Sequence, residues 1–200
     1  MPTETDILIV GAGPAGSAWA YFLASAGFSV RLLDKAQFPR DKTCGDGLSP
    51  RALQVLKNIG ALEAVNAAGF RIASLRLFSP NGHSFSAPIL PHKNLPGHAL
   101  VLPRFQLDEI IRHRALAASA EFEQHTVSGL LETENAVVGA TAANGQKYHA
   151  RVTVLATGAS TALLERAGLL PANFTAEGRA ARAYFHNVRG LSDEVEFHFD

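Results

Sequence analysis

A chain of 200 residues, 47% hydrophobic and 18% charged, is long enough for one large domain or two small ones with a real core. Its 18 Lys and Arg balance 18 Asp and Glu, so no charge excess points to nucleic acid or an anionic membrane. A single cysteine can build neither a disulfide framework nor a zinc site, and a reducing cytoplasm is the expected compartment.

Residues 7–30 carry no charge, a length that could span a bilayer. The glycines at 11, 13, 16 and 27 and Pro14 interrupt the run, and the acidic "MPTETD" before it lacks the basic residues of a signal peptide. It divides instead into strand, turn and helix. Ile7–Val10 is a short β-branched run suited to a central parallel strand. Helix-compatible residues follow from Pro14 to Ala26, with Gly27 at the C-cap, and "FSVRLLD" reads as a second strand ending at Asp34.

"GAGPAG" therefore lies between strand and helix, in the context of a dinucleotide-binding turn. In that reading Gly11 permits the tight turn, Gly13 admits a pyrophosphate to the backbone, and Gly16 lets the helix pack on the strand. The N–H groups of the helix start face the phosphates. Asp34 is placed for a ribose diol and would repel a 2′-phosphate. The turn alone does not choose between NAD and FAD, and a tight turn before a core helix that binds nothing is the alternative.

"LSPRALQVLKNIG" reads as a helix with Ser49 as N-cap, Pro50 in the first turn and Gly60 at its end. Residues 72–78 and "SPNGHSF" read as a hairpin about Asn81-Gly82. Residues 91–98 read as an exposed loop. A strand runs into Arg104, and a helix covers 105–119 with Leu107, Ile110 and Ile111 on its apolar face. Residues 121–139 alternate weakly. An Asn144-Gly145 turn leads to a strand ending at Ala156. Val195, Phe197 and Phe199 alternate with Glu196 and His198. Trp19 is expected to pack the first helix on a neighbour. The eight histidines are scattered, without the spacing of a metal site.

Three segments, "DILIVGAGPAGSAWAYFLASAGFSVRLLDK", "FPRDKTCGDGLSPRAL" and "VLATGAS", resemble the FAD-binding parts of the geranylgeranyl reductase family, within the p-hydroxybenzoate-hydroxylase-like flavoproteins. "ARAYFHNVRGL" at 181–191 also resembles it. The resemblance implies an α/β fold: a Rossmann-like FAD-binding domain with inserted antiparallel β segments. Residues 1–70 and 99–170 would form the discontinuous FAD-binding domain, and 71–98 and 171–200 the start of a substrate-binding β-sheet domain. It also implies a G-D-A segment and an aromatic substrate-pocket motif that this sequence lacks. The expectation is thus a fragment, with the C-terminal part of the fold missing and FAD bound weakly.

Carried over residue by residue, the resemblance has Gly11, Gly13, Pro14, Ala15 and Gly16 cradle the pyrophosphate. Asp34 binds the adenosine ribose, with Lys35 flanking it. Arg40, Cys44, Gly45 and Gly47 line the flavin side, and Arg104 reaches the cofactor from its strand end. Val127 packs on the adenine, and Thr157 and Gly158 approach FAD from the second central strand. The implied activity is hydride transfer from reduced flavin to C=C bonds of polyprenyl chains of geranylgeranyl or menaquinone type. NAD(P)H or another reductant is the electron donor. A lipid substrate implies peripheral membrane contact. Cys44 is the catalytic candidate, a thiol beside the reactive face of the flavin, although a small apolar filler in a glycine turn is the plainer reading. Asp46 reads either as a proton source or as a loop cap. An FAD-dependent monooxygenase or halogenase, and a non-catalytic FAD-binding module, are the alternatives.

Overall fold

The computed structural model describes residues 3–171, 173, 174, 178 and 180–199. The chain opens with β1 (Thr3–Val10) and α1 (Pro14–Ser25). Gly13 is the N-cap of α1, Pro14 fills its first turn, and Gly27 ends it at φ +90°. Then come β2 (Val30–Asp34), β3 (Gly47–Leu48) and α2 (Pro50–Asn58). Ser49 Oγ accepts the Ala52 N–H at 3.4 Å and caps α2. Next are α3 (Leu62–Ala68), β4 (Phe70–Ile72), and the hairpin of β5 (Ser74–Phe78) and β6 (Ser84–Pro88). They are followed by β7 (Ala99–Val101) and α4 (Arg104–Ala117). The remainder is β8 (Glu121–Gln124), β9 (Val127–Glu132), β10 (Val137–Ala142), β11 (Lys147–Leu155), α5 (Ala162–Arg166) and β12 (Glu194–His198).

The chain packs as two compact units. The first, 1–40 with 108–179, holds a six-stranded sheet in the order β8-β2-β1-β11-β10-β9. The strands β8, β2, β1 and β11 are parallel, and β10 and β9 continue the sheet antiparallel. Val10 lies opposite both Leu33 and Leu155, so β1, β2 and β11 end together. One face buries Ile7, Ile9, Val30 and Leu32 with Ala20 of α1 and Ala115 of α4. The other buries Leu8, Leu33, Ala140, Ala142, Tyr148 and Ala150. Apolar side chains on both faces are why the first strand lacks alternation.

The second unit, 41–107 with 180–200, has two small sheets. β7 lies between β3 and β4, antiparallel to both, and β5 pairs with β6 antiparallel and with β12 parallel. Its core includes Leu48, Leu53, Leu56, Ile59, Val65, Ile72, Leu100 and Leu102. On one face of the β12-β5-β6 sheet, Leu75, Leu77, Phe85 and Phe197 are exposed.

Division by packing differs from the sequence-based division in placing 171–179 with the first unit, and at 41–70 and 99–107. The latter two stretches join the second unit because β3 and β4 both pair with β7. Trp19 does not pack α1 on a neighbour: it is 55% exposed, and the helix approaches the sheet through Gly16, Ser17 and Ala20. Arg104 stands not at a strand end but as the first residue of α4, since β7 stops at Val101 and Leu102-Pro103 make the turn.

Candidate functional site: a dinucleotide cradle and a cysteine turn

The first group of site residues forms where β1, β2 and β11 end. The Gly11 N–H donates to Leu33 O at 2.7 Å, and the Ala156 N–H to Val10 O at 2.8 Å, which draws the three strand ends together. Gly11 is at φ +108°, and a Cβ there would lie 2.3 Å from Ala156 O. A Cβ on Gly16 would lie 1.8 Å from Gly11 O. Both positions exclude a side chain because main chain already fills the space. Ser17 Oγ donates to Ala12 O at 3.0 Å, tying the helix to the turn.

Gly13 differs from those two. Its backbone is extended, at φ −69° and ψ −177°, and a Cβ would meet only Arg40 Nη2, at 3.4 Å. The start of α1 has no side-chain cap, so its electropositive end stands beside a guanidinium. Arg40 Nη1 is 3.1 Å from Oδ2 of Asp108, which is fully buried. The Arg40 guanidinium carbon also lies 5.0 Å from the Phe38 ring centroid. A space without a side chain, an uncapped helix start and a fixed cation fit the diphosphate of a dinucleotide.

Asp34 has work within this cradle. Its Oδ2 accepts the Ala12 N–H at 2.7 Å, and its Oδ1 the Ala36 N–H at 2.9 Å. Each oxygen keeps a further lone pair, so the carboxylate can hold the turn and still accept from ribose hydroxyls. Lys35 is exposed beside it. Val127 packs against the Leu8–Leu33–Tyr148 cluster. Thr157 Oγ1 donates to Ser160 O at 2.8 Å, and Gly158 follows at φ +62°, where a Cβ would meet no described atom within 4 Å. Pro14 and Ala15 form the first turn of α1, with Ala15 exposed.

The second group lies in the second unit. Cys44, Gly45 and Gly47 are exposed, and Asp46 between them is buried. The Asp46 backbone N–H beside the sulfur, and the Arg104 side chain as a further donor and positive charge, hold the Cys44 thiol below the ordinary thiol range against the opposing push of partial burial. Arg104 also donates its backbone N–H to Asp46 Oδ1 at 3.1 Å. Cys44, Gly45 and Gly47 thus share one turn, and Arg104 meets it from the start of α4.

Three residues outside the sequence-based set matter here. Asp108 fixes Arg40; an acid on the buried side of an amphipathic helix was the available signal. Arg182 and Tyr184 bind Asp46, and nothing local in "ARAYFHNVRGL" points to that pairing. Among the described residues, no group of three or more His, Cys, Asp and Glu could hold a metal, and no helix is long and apolar enough to cross a membrane.

A glycine turn at the carboxyl ends of parallel strands, closed by an acid on the second strand, defines a dinucleotide-binding protein. The FAD binding domain family matches residues 4–194, and the chain belongs to it. Menaquinone reductase of Mycolicibacterium smegmatis is 33% identical over all of this chain and 49% of its own length. Digeranylgeranylglycerophospholipid reductase 2 of Methanopyrus kandleri is 33% identical over 84% of this chain and 41% of its own length. Among solved structures, the flavin-dependent brominase Bmp2 superposes with a TM-score of 0.74 at 28% identity, over 84% of this chain and 41% of that one. The chain therefore spans about half the length of the curated relatives it matches.

Proposed function

We propose that this chain is the FAD-binding part of a reductase that saturates C=C bonds in polyprenyl chains, of the geranylgeranyl or menaquinone type. The observation that carries this reading is similarity, at 33% identity over all and over 84% of this chain, to relatives named menaquinone reductase and digeranylgeranylglycerophospholipid reductase. The cradle supports FAD: Gly13 leaves the diphosphate its approach, Arg40 supplies a cation, and Asp34 accepts from the ribose. Lys35, Val127, Thr157 and Gly158 complete the adenosine and pyrophosphate side, and Cys44, Gly45, Gly47 and Arg104 the flavin side. When reduced and bound, the flavin supplies a hydride to one alkene carbon, and a proton completes the other. NAD(P)H or another reductant returns the electrons. The substrate is hydrophobic, so peripheral membrane contact accompanies turnover.

The test begins with the absorption spectrum of the purified protein and chromatography of any released cofactor. The flavin is then reduced anaerobically with dithionite and offered menaquinone or a geranylgeranyl lipid. The expected result is reoxidation of the flavin together with a product that, after any quinol has been reoxidised in air, is still heavier by two hydrogens for each side-chain double bond saturated. Reoxidation by oxygen alone, with bromination of an added pyrrole when bromide is present, favours the second reading, a halogenase. The brominase likeness motivates that reading.

A further inference from the structure

Asp46 is a carboxylate with 5% of its surface exposed, at φ +55°. A buried charge and a non-glycine residue with positive φ both require support from their surroundings. The support comes from α4 and from segment 181–185. Besides the Arg104 N–H on Oδ1, the Tyr184 hydroxyl donates to Oδ2 at 2.6 Å, and Arg182 Nη1 lies 3.5 Å from Oδ1. The Asp46 carbonyl accepts the Leu102 N–H at 3.0 Å. Arg182 reaches further along the loop, donating to Lys42 O at 3.1 Å and to the Asp41 carboxylate. Its guanidinium carbon lies 4.5 Å from the Tyr184 ring centroid, so one side chain is stacked and paired at once.

Beyond the pairing of Gly47 and Leu48 with β7, the turn itself has little else to fix it. Cys44, Gly45 and Gly47 are exposed, and a Cβ on Gly45 would meet nothing described within 4 Å. Polar contacts rather than packing therefore decide its conformation. The orientation of Asp46 also sets where its backbone N–H points, and that N–H is a donor to the Cys44 sulfur.

We propose that Arg182 and Tyr184 are positioning residues: they clasp Asp46, and through its main chain they hold the turn Cys44–Gly45–Asp46–Gly47 in the single geometry that presents it to the cofactor. Presentation of the turn to the cofactor rests on the function proposed above. The clasp does not.

The test uses Tyr184→Phe, Arg182→Gln and Arg182→Lys in the whole chain. The rate of Cys44 alkylation by iodoacetamide is measured against pH, beside the urea midpoint and the visible spectrum with FAD. Losing the clasp releases the Asp46 N–H from the sulfur. The alkylation midpoint then rises by about half a pH unit, roughly threefold less thiolate at neutral pH, in Tyr184→Phe and Arg182→Gln. Arg182→Lys, which keeps the charge, recovers part of the shift. A purely structural role would lower the urea midpoint and leave the alkylation midpoint unmoved. Folded Tyr184→Phe and Arg182→Gln proteins with the parent's alkylation profile would overturn the proposal. A shifted profile with an unchanged FAD spectrum sustains the clasp and counts instead against the flavin-side reading of the turn.

Discussion

Three glycines separate the fold from the site, and single alanine substitutions tell them apart. At Gly11 the added Cβ falls 2.3 Å from Ala156 O and 2.8 Å from Ala156 C, both main chain. Relief requires about 1 Å of movement at the end of β11, which costs about 1–3 kcal/mol in overpacking. That movement breaks the Ala156 N–H to Val10 O bond, worth about 1 kcal/mol. The positive φ adds roughly 1–2 kcal/mol. Gly11→Ala should therefore lose about 3–6 kcal/mol, a large part of a domain's usual 5–15 kcal/mol. Gly27 is the control for φ alone: it is at +90°, and its Cβ would meet nothing described within 4 Å. The expected loss there is about 1–2 kcal/mol. Gly13→Ala has an allowed backbone and one contact, with the side-chain atom Nη2 of Arg40 at 3.4 Å, where a few tenths of an ångström of adjustment suffice. Its stability should stay within about 0.5 kcal/mol of the parent, while FAD affinity falls about tenfold or more. Urea unfolding gives the first quantity, and quenching of flavin fluorescence the second. A Gly13→Ala protein that unfolds as easily as Gly11→Ala, or binds FAD as the parent does, would refute the reasoning.

Further outcomes follow from the charged groups. Burial, and then the Glu123 carboxylate that accepts its hydroxyl at 2.7 Å, push the Tyr148 phenol well above the ordinary value. Because this folded-state value is raised, stability should decline as the pH passes about 10, where the unfolded phenol ionises first. Tyr148→Phe should lose about 1 kcal/mol at neutral pH and flatten that alkaline decline, as urea titrations across pH would show. The paired Arg112 guanidinium, and His113 after it, hold the Glu109 carboxyl below its usual range. Stability from Glu109 is thus complete above its ordinary value and lost as the pH falls through its lowered one. Glu109→Gln should weaken the protein by about 0.5–1 kcal/mol near neutrality and converge with the parent in acid, as thermal melts at stepped pH would reveal. Arg104→Gln removes a donor from the Cys44 sulfur and should move the iodoacetamide profile toward that of a free thiol.

What the sequence disclosed depended on the range of the contact. The passage from β1 through Gly11, Gly13 and Gly16 into α1 was readable because strand run, turn glycines and helix start are contiguous. Asp34 could be placed at the end of β2 for the same reason. Its two backbone bonds could not, since they depend on where Ala12 and Ala36 come to rest. β3, β4, α3 and α5 run for two to seven residues, too few for a period to show. The division at Arg40 was hidden because it follows from β7 pairing with strands on either side of a two-helix excursion. Asp46 was ambiguous as a loop acid, because the groups that define it, Arg182 and Tyr184, stand far along the chain.

The double engagement of Asp34 has an evolutionary consequence. Its carboxylate is the fastener between the end of β2 and the glycine turn, and in the role proposed above it would also sort one ribose from another. A lineage that exchanged this acid for a residue tolerant of a 2′-phosphate would unfasten the turn in the same step. Ala12 and Ala36 would each need a new acceptor before any gain in the new cofactor could be selected. If Asp34 holds the ribose as proposed, nucleotide preference is tied to the integrity of the scaffold, and drift toward another dinucleotide must pass through a second, compensating change elsewhere in the turn.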